Sequence, residues 1–456
     1  MTRRLAGRRP LFAMATASFA LKLALAMWIA ADDPARFMTP DSHTYLQPAE
    51  ALVTAGVYAA SPQQLDVPET LRTPGYPVFI AAVYALAGHH LTAVVMAQIL
   101  VSLGALVLAY LLATELWDHQ IGVVAGLLLG LDLASFVSTL RVLTETLFTF
   151  VLTAALYCAV RFRRSALRLR WCGLFGAFFA ASVLVRPIAY YLAGPLAFWV
   201  LLVCLKQRAG WRRSAVAVLV FTAPFVLAVG GWQLRNGLRT GTALLSRIAG
   251  VDLLYYRGAA VLAQRDGISL HEARERLGYE SRSGAAHLTP EELSERWRRE
   301  GQALILGHPV VYARTMVRPI VVTLIGTPEH SLMNLLGLPL PSTGPLGDLL
   351  RLDPRAYVER WVVGRTLSWL AFVVLIVYLL LLHFGLASAW WRLARAGRLD
   401  PEHGCLALVF LYLLLVSAGP EAYWRFRVPL TPILCVYAAA GLSTWRRGDS
   451  SPSAER

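Results

Sequence analysis

Carboxylates and arginines stand in short polar segments that separate the long apolar runs of this chain. Asp41 lies in the string PDSHTYL, Arg72 in LRTPGYP and Glu145 in RVLTETLF. A carboxylate can take the proton of an attacking hydroxyl. An arginine can hold a phosphate through two parallel hydrogen bonds and can stabilise the charge that grows on a leaving phosphate. Together these residue types fit a transfer reaction with a phosphate leaving group.

Other polar residues in the short segments between apolar runs are candidates for binding the substrate or its phosphate. They are Tyr45, Arg186 in VRP, Arg235 and Asn236 in WQLRNG, and Arg425 and Arg427 in EAYWRFRVP. We interpret Tyr45, Arg186 and Asn236 as substrate-binding residues. The other three arginines are interpreted, with Arg72, as ligands of a phosphate.

Each candidate also has an ordinary structural interpretation. Asp41 can cap a helix that begins near Ser42, because aspartate is favoured at that position. Glu145 can pair with Arg141 at the spacing i, i+4. Arginines at the ends of apolar runs can anchor a chain at a membrane interface, and asparagine is common in turns. Spacing alone therefore does not decide between catalysis and structure.

The composition indicates an integral membrane protein. The chain has 456 residues, of which 57% are hydrophobic and 16% are charged, and its mean hydropathy is +0.53. Soluble domains average roughly 45–50% apolar and about 25% charged residues. The net charge of +15 is divided among short clusters between apolar runs, which is typical of cytoplasmic loops and not of a nucleic-acid-binding surface.

Ten apolar runs are long enough, or nearly long enough, to cross a bilayer. They occupy residues about 11–31, 90–116, 121–139, 145–161, 171–186, 187–205, 214–231, 361–386, 405–419 and 428–445. A weaker run at 76–87 is too short to cross, and another at 304–326 is interrupted by two arginines and a proline. Both weaker runs are predicted to be interfacial or re-entrant helices. The predicted fold class is an all-α polytopic membrane bundle with external juxtamembrane helices.

Basic clusters determine the predicted orientation, because Lys and Arg favour the cytoplasmic side. The clusters lie at residues 3–9, 161–170, 206–213, 392–398 and 446–447. If the ten strong runs cross, all of these clusters are cytoplasmic. Residues 1–445 then form one transmembrane domain, with external loops at 32–89 and 232–360 and a cytoplasmic tail at 446–456. The candidate residues all fall on the external side.

Two local patterns predict structural details. Capping boxes predict two helix starts in the second external loop, at Ser269 with Glu272 and at Thr289 with Glu292. Lys22 and Asp132 lie inside apolar runs at a similar distance from the cytoplasmic side. Charges near the bilayer centre tend to pair, so these two residues are predicted to face each other or to share a polar pocket.

The predicted location limits the chemistry. Outside the cytoplasm there is no supply of nucleotide sugars or ATP, so an external transferase needs an activated donor carried in the membrane, such as a sugar on a polyprenyl phosphate. The leading interpretation is therefore a glycosyltransferase that inverts the anomeric centre by one direct displacement. A transporter or flippase of lipid-linked sugars is one alternative, which needs broken helices and a polar lumen. A polysaccharide polymerase or ligase is another, which does not need the pair Asp41 and Glu145.

The motifs resemble the GT-C superfamily of glycosyltransferases. An aspartate in the first external loop, a basic residue before PGYP and a second acidic residue further along are similar to the branch that includes protein O-mannosyltransferases and aminoarabinose lipid A transferases. The strings WQLRNGLRTG, HPVVYARTMVRP and YWRFRVPLTP also resemble that branch. The resemblance covers residues about 5–445.

The resemblance implies a GT-C fold and a polyprenyl-phosphate sugar donor. It also implies roles for single residues. Asp41 matches the family's catalytic aspartate, and Glu145 matches its second acidic position. Arg72 matches the basic residue that contacts the donor phosphate, and Tyr45 matches an aromatic residue that follows the aspartate.

The chain departs from the family pattern at two positions. Thr44 stands where some members have Arg, and Leu71 stands where some have an acidic residue before the basic one. The second departure puts a bound divalent metal in doubt, so no metal ligand is assigned and a divalent metal stays an open alternative. The expected partners are the lipid-linked donor, a glycan, lipid or protein acceptor, and membrane lipids, but no nucleic acid. The expected location is the bacterial inner membrane, with the site on its periplasmic or extracellular side, and the transferred sugar is a hexose or a pentose.

Overall fold

A computed structural model describes residues 9–279, 288–339, 348, 353–363 and 365–443, and the fold is an all-α polytopic membrane bundle. Within these residues, seven helices are long and apolar enough to cross a membrane: Pro10–Asp32, Leu91–Leu116, Glu145–Arg164, Pro187–Lys206, Trp211–Thr240, Ser368–Arg395 and Trp424–Ser443. Two bent pairs of helices each have the geometry of a broken span or a re-entrant loop. They are His119–Leu131 with Leu133–Thr139, bent by 60°, and Pro309–Ile325 with Glu329–Leu335, bent by 55°. The predicted tail at 446–456 lies outside the described residues.

All ten strong apolar runs form helices, but they differ in length. Seven correspond to the long helices, and the run 121–139 corresponds to the first bent pair. The other two, Leu169–Val185 and Pro401–Ser417, have only 17 residues each. The weak run 76–87 forms the helix Gly75–Ala87, whose 13 residues are too few to cross a bilayer.

Three of the long helices contain a turn of different winding: 3₁₀ at Pro187–Leu192 and Trp424–Leu430, and π-helical at Val226–Gly230. Outside the long and bent helices the described elements are the helices His43–Ala55, Ile248–Val251, Ala259–Asp266, Leu270–Arg276, Pro290–Gly307 and Pro354–Tyr357, the 3₁₀ turn Pro34–Phe37, the π-helical turns Asp252–Gly258 and Val358–Val363, and the strands Ala59–Ser61 and Gln64–Pro68. The predicted capping residues do begin helices. Ser269 Oγ accepts from the Glu272 backbone N–H at 3.1 Å, and Thr289 with Glu292 forms the complete reciprocal box.

The two strands were not predicted. They form an antiparallel hairpin in the loop 32–89, with Ser61 opposite Gln64. The second strand, Gln64–Pro68, is almost entirely exposed, so it has no buried face to produce a clear alternation of apolar and polar residues. The membrane-embedded part of the fold remains all-α.

Two helices form the centre of the bundle. Most residues of Glu145–Arg164 and of Trp424–Ser443 are buried within the protein. The second of these packs closely against Ser368–Arg395, because Gly441 and Gly385 lie at the crossing. A side chain on Gly441 would collide with the Gly385 carbonyl, and small residues commonly permit such contact in membrane bundles.

The helix Glu145–Arg164 defines two ends of the bundle. It has 20 residues, and at 1.5 Å per residue it is about 30 Å long. We call the end at Glu145 the site end and the end at Arg164 the far end. Basic clusters predicted to share one side of the membrane meet at the far end. Gln207 Nε2 donates to the Arg163 carbonyl at 3.0 Å, which joins the clusters at 161–170 and 206–213.

Lys22 and Asp132 are both buried in the core. Lys22 Nζ donates to Ser102 Oγ at 3.0 Å. Asp132 accepts from both the backbone N–H and the hydroxyl of Ser135 at 2.7 Å, and so caps the helix that follows the 60° bend. Lys22 and Ser135 line one small cavity. Asp132 lines a different small cavity, together with Tyr378 and Arg427, so the pairing of Lys22 with Asp132 stays a prediction.

Candidate active site

Asp41 lies in the turn that precedes the helix His43–Ala55. Its carboxylate accepts hydrogen bonds from Arg72 Nη2 at 3.3 Å and from Arg425 Nη2 at 3.0 Å. One carboxylate therefore joins arginines from two distant parts of the chain. The residue at the start of the helix is Ser42, and the Asp41 side chain is directed to the arginines instead of capping it.

The charge state of Asp41 follows from these contacts. Burial raises the pKa of Asp41, but the positive charges of Arg425 and Arg72 outweigh burial, so its pKa lies below the ordinary value of 3.8. Asp41 is therefore ionised at neutral pH. Its side chain is 38% exposed, which leaves it accessible to a ligand.

Besides its bond to Asp41, Arg72 is held by three contacts. Its Nε donates to Thr44 Oγ1 at 2.9 Å, and its backbone N–H donates to the Glu69 carboxylate at 2.8 Å. Its guanidinium lies 4.6 Å from the centroid of the Tyr45 ring, within the range of a cation–π interaction. Thr44, which stands where some GT-C members have Arg, thus positions Arg72 through its hydroxyl.

Arg425 connects Asp41 to a second carboxylate. Arg425 Nε lies 3.5 Å from Glu145 Oε1, and Arg186 Nη1 lies 2.8 Å from the same oxygen. Glu145 is the first residue of its helix, where the positive end of the helix dipole favours a carboxylate. The ring of Phe426 lies within 5.6 Å of both guanidinium groups and covers them on one side.

The five residues form what we call the arginine–carboxylate cluster: Asp41, Arg72, Glu145, Arg186 and Arg425. Three arginines face two carboxylates, so the cluster has a surplus of one positive charge. The cluster is open at Asp41 and closed at Glu145, whose side chain is only 2% exposed. An anion that enters beside Asp41 would meet uncompensated positive charge.

Part of this site falls in a stretch of chain that matches a known family. Residues 66–227 match the family model of dolichyl-phosphate-mannose-protein mannosyltransferases. The matched segment includes Arg72, Glu145 and Arg186. The match confirms the resemblance to GT-C glycosyltransferases that the motifs indicated. No curated protein matches the chain at a significant level.

The solved structures similar to this chain include an oligosaccharyltransferase and ArnT. The oligosaccharyltransferase of Archaeoglobus fulgidus in the apo form is 13% identical, with a TM-score of 0.49, and the match covers 94% of this chain and 50% of that one. ArnT from Cupriavidus metallidurans bound to undecaprenyl phosphate is 14% identical, with a TM-score of 0.34, and the match covers 93% of this chain and 77% of that one. The chain thus spans about half the length of the oligosaccharyltransferase.

Arg235 and Asn236, two of the predicted binding residues, have other partners. Arg235 donates to the carbonyls of Glu69 and Tyr58 at 2.7 Å each, and Asn236 donates to the Leu244 carbonyl at 2.7 Å. These bonds join the helix Gly231–Thr240 to the loop 32–89 and to its own following turn. The structure therefore does not bring Arg235 or Asn236 into the arginine–carboxylate cluster.

Arg427 is also placed away from the cluster. It is 2% exposed, and its Nη1 donates to the carbonyls of Thr323, Leu324 and Gly326 at 3.2, 3.0 and 2.8 Å. The last carbonyls of a helix have no partner within the helix. Arg427 satisfies them at the end of Pro309–Ile325, and this use of its donors accounts for its burial.

A second group of charges near the cluster was not predicted as a site. Arg257 Nη2 lies 3.6 Å from Glu421 Oε1. Asp252 begins the π-helical turn Asp252–Gly258, and burial first, then the negative charge of Glu421, raises its pKa to about 7. Asp252 stands alone among apolar residues in the string GVDLLYY, and that isolation was the only signal available in the sequence.

No group of three or more His, Cys, Asp or Glu side chains suited to a metal ion occurs among the described residues. At the position where some relatives have an acid, Leu71 offers no ligand. The nearby Glu69 carboxylate is instead used by the Arg72 backbone N–H. Glu69, two residues before Leu71, thus fixes the turn that carries Arg72.

Proposed function

We propose that the protein is a glycosyltransferase that moves a sugar from a polyprenyl-phosphate donor to an acceptor hydroxyl. The observation that carries the proposal is the arginine–carboxylate cluster, in which three arginines meet two carboxylates at the end of the membrane helices. The matched family is named for a dolichyl-phosphate donor, which agrees with a site built for a lipid phosphate.

Arg72 and Arg425 hold the donor phosphate in this proposal. Both are partly exposed at 16%, and both are already aligned on Asp41. The donor phosphate gains negative charge as its bond to the sugar breaks. Fixed cations therefore stabilise the transition state more than the ground state, which is the requirement for catalysis.

Asp41 is the group that receives the acceptor hydroxyl. It is ionised and more exposed than Glu145, so it can accept the hydroxyl's hydrogen bond and then its proton as the oxygen attacks the anomeric carbon. One displacement of this kind inverts the anomeric centre. Glu145 holds Arg186 and Arg425 in place and so maintains the phosphate-binding arrangement.

The proposed orientation puts the site end outside the cytoplasm. The far end collects the basic clusters at 161–170 and 206–213, and such clusters favour the cytoplasmic side. The loops 32–89 and 232–360 would then face the periplasm or the exterior of a bacterial inner membrane. The acceptor, a glycan, lipid or protein, would reach Asp41 from that side.

Binding of undecaprenyl phosphate to the purified protein in nanodiscs tests the proposal. Arg72→Ala should weaken binding by roughly tenfold or more, since loss of a charge-assisted bond costs about 1.5–3 kcal/mol. Arg296→Ala is the matched control, because Arg296 is an exposed arginine paired with Glu300 on the helix Pro290–Gly307. Equal binding by wild type and Arg72→Ala would contradict the proposal.

A further inference from the structure

Lys22 is a buried cation near the middle of the membrane helix Pro10–Asp32. It is 7% exposed, and its Nζ donates to Ser102 Oγ at 3.0 Å. The ring centroid of Phe136 lies 5.8 Å from Nζ, at the outer limit of a cation–π contact. Within the described part of the chain, Lys22 belongs to no ion pair. A charge near the bilayer centre is costly unless it is paired, so Lys22 requires a partner.

Asp132 is a carboxylate whose charge acts on Lys22, but its own contacts lie elsewhere. Its Oδ1 accepts from the backbone N–H and from the hydroxyl of Ser135 at 2.7 Å. It lines its own cavity with Arg427, and its charge acts on that buried arginine too. One carboxylate thus serves two buried cations, and these three groups together have a surplus of one positive charge.

Lys22 lines a cavity of about 30 Å³. The cavity lies between the helices Pro10–Asp32, Leu91–Leu116 and Glu145–Arg164 and the bent pair that contains Asp132. A water molecule needs roughly 10–15 Å³ of such space, so the cavity has room for about two water-sized groups and not for a sugar or a phosphate. The five residues of the arginine–carboxylate cluster do not line it, so it is separate from the proposed donor site.

Two hydroxyls that line the cavity have no hydrogen-bond partner. Thr146 and Thr149 are each 4% exposed, and Oγ1 of each lacks a partner among the described residues. The hydroxyls of Ser102, Ser135 and Thr139 also line the cavity, but each of them already donates to a protein oxygen. Thr146 and Thr149 therefore have O–H donors that a ligand can use.

The groups left for a ligand are all donors. An ammonium group has three N–H donors, and Ser102 receives one of those of Lys22. The other two remain, together with the hydroxyls of Thr146 and Thr149. No carboxylate of the described residues lines this cavity. A small acceptor with a negative charge would satisfy these donors and neutralise Lys22.

We propose that this cavity binds one small monovalent anion, a halide such as chloride. Lys22 supplies the opposite charge, and the hydroxyls of Thr146 and Thr149 donate to the ion. A halide is a single atom a little larger than a water oxygen, so it suits a space of this size. A buried charge that is paired and hydrogen-bonded is far less costly than one that is alone. The inference does not depend on the proposed function.

The bound anion would join helices that also carry the arginine–carboxylate cluster. Thr146 directly follows Glu145, and Val428, which lines the cavity, directly follows Arg427. Lys22 is on a third segment, the helix Pro10–Asp32. We therefore expect the anion to stabilise the folded bundle at the contact of these segments.

Thermal unfolding of the purified protein in mild detergent tests for the anion. Sodium gluconate, whose anion is too large for the cavity, is replaced stepwise by sodium chloride at constant ionic strength. A ligand bound only by the folded protein raises the melting temperature as its concentration rises. Wild type should show this rise, and Lys22→Met should not. Lys206→Met is the matched control and should behave as wild type, because Lys206 is exposed and is the only other lysine of the chain.

Nuclear magnetic resonance locates the bound ion. Lysine labelled with ¹³C gives signals from only two side chains, and Lys22→Met identifies which belongs to Lys22. Chloride should shift the Lys22 Cε signal until it saturates and leave the Lys206 signal unchanged. Thr149→Val removes one donor to the ion and should weaken chloride binding roughly tenfold or more. Thr153→Val should titrate as wild type, since the Thr153 hydroxyl donates to the Thr149 carbonyl at 2.7 Å and does not line the cavity.

Two results would overturn the inference. A cavity that holds only water would leave the Lys22 signal and the melting temperature of wild type unchanged by chloride. Chloride bound elsewhere on the protein would raise the melting temperature of Lys22→Met as much as that of wild type.

Discussion

Two clusters of arginines and carboxylates lie at opposite ends of the helix Glu145–Arg164, and they differ in charge balance. At the far end, Arg163 Nε lies 2.7 Å from Glu402 Oε2 and Arg164 Nη2 lies 3.2 Å from Glu402 Oε1. Arg163 also pairs with Asp400 at 3.0 Å. Two arginines thus face two carboxylates, and the charges cancel.

The two clusters are alike in exposure, so charge balance is what separates them. Each has one buried carboxylate, Glu402 at 0% and Glu145 at 2%, and one partly exposed carboxylate, Asp400 at 48% and Asp41 at 38%. A neutral cluster joins helices and has no charge left for a ligand, whereas a cluster with a surplus cation is suited to an anion. The same residue types therefore serve structure at one end and binding at the other.

The largest expected effect is on turnover at the site end. Asp41→Asn removes the proton acceptor and should reduce the transfer rate by roughly 10²–10⁴, with little change in thermal stability. Asp66→Asn is the control, because Asp66 is an exposed acid in the same loop. The measurement is product formed per amount of folded protein in membranes. Near-wild-type turnover by Asp41→Asn would remove Asp41 from the mechanism.

The next effect is on stability at the far end. Glu402→Ala leaves Arg163 and Arg164 without their buried partner, and breaking a buried pair on one side costs about 3–5 kcal/mol. Unfolding of the purified protein in mild detergent would reveal the loss, while undecaprenyl phosphate binding by the folded fraction should be unchanged. Glu115→Gln, which breaks the more exposed pair with Arg161, should cost at most about 1 kcal/mol. A Glu402→Ala protein as stable as Glu115→Gln would contradict the structural role.

A conservative change should distinguish the two clusters by binding. Arg425→Lys keeps the charge but cannot reach Asp41 and Glu145 at once, since lysine lacks the planar fork of arginine. We expect binding of undecaprenyl phosphate to weaken by roughly tenfold, or about 1.4 kcal/mol. Arg163→Lys at the far end should leave that binding unchanged. If both substitutions weaken binding equally, the comparison between the ends fails.

The smallest expected effect concerns the support of Arg72. Tyr45→Leu removes the aromatic face under its guanidinium and should weaken undecaprenyl phosphate binding two- to fivefold, since such a contact contributes about 0.5–1 kcal/mol. Tyr45→Phe keeps the face and should bind as wild type does. Loss of binding in both variants would point to the hydroxyl of Tyr45 instead of its ring.

Much of the membrane fold is predictable from the sequence because hydropathy and capping act locally. The described part of every strong apolar run is helical, and Thr289 with Glu292 begins a helix as its pattern indicates. The hairpin at Ala59–Ser61 was missed, since its exposed partner strand has no apolar face. The bend in the run 121–139 was also missed. That run is long enough for one helix, but Asp132 caps a second helix at Leu133–Thr139, and the two helices meet at 60°.

The site was predictable where chemistry and spacing agreed and not where an arginine had two plausible uses. Asp41, Arg72 and Glu145 are in one cluster, joined by Arg425. Arg427, only two residues away, is directed to three backbone carbonyls. Which arginine faces the cluster depends on the 3₁₀ turn at Trp424–Leu430, and the sequence does not reveal the twist of that turn.

The helix Glu145–Arg164 also sets a length for the whole protein. Its 20 residues extend about 30 Å, which is the thickness of a typical hydrocarbon layer. Because each end is held by charged groups that cannot enter lipid, this helix cannot slide to adjust to a thinner or thicker bilayer. Hydrophobic mismatch must then be absorbed by the surrounding lipid or by tilting of the entire bundle. We therefore expect the protein to be sensitive to acyl-chain length, working best in membranes whose thickness matches the distance between its two ion-pair clusters.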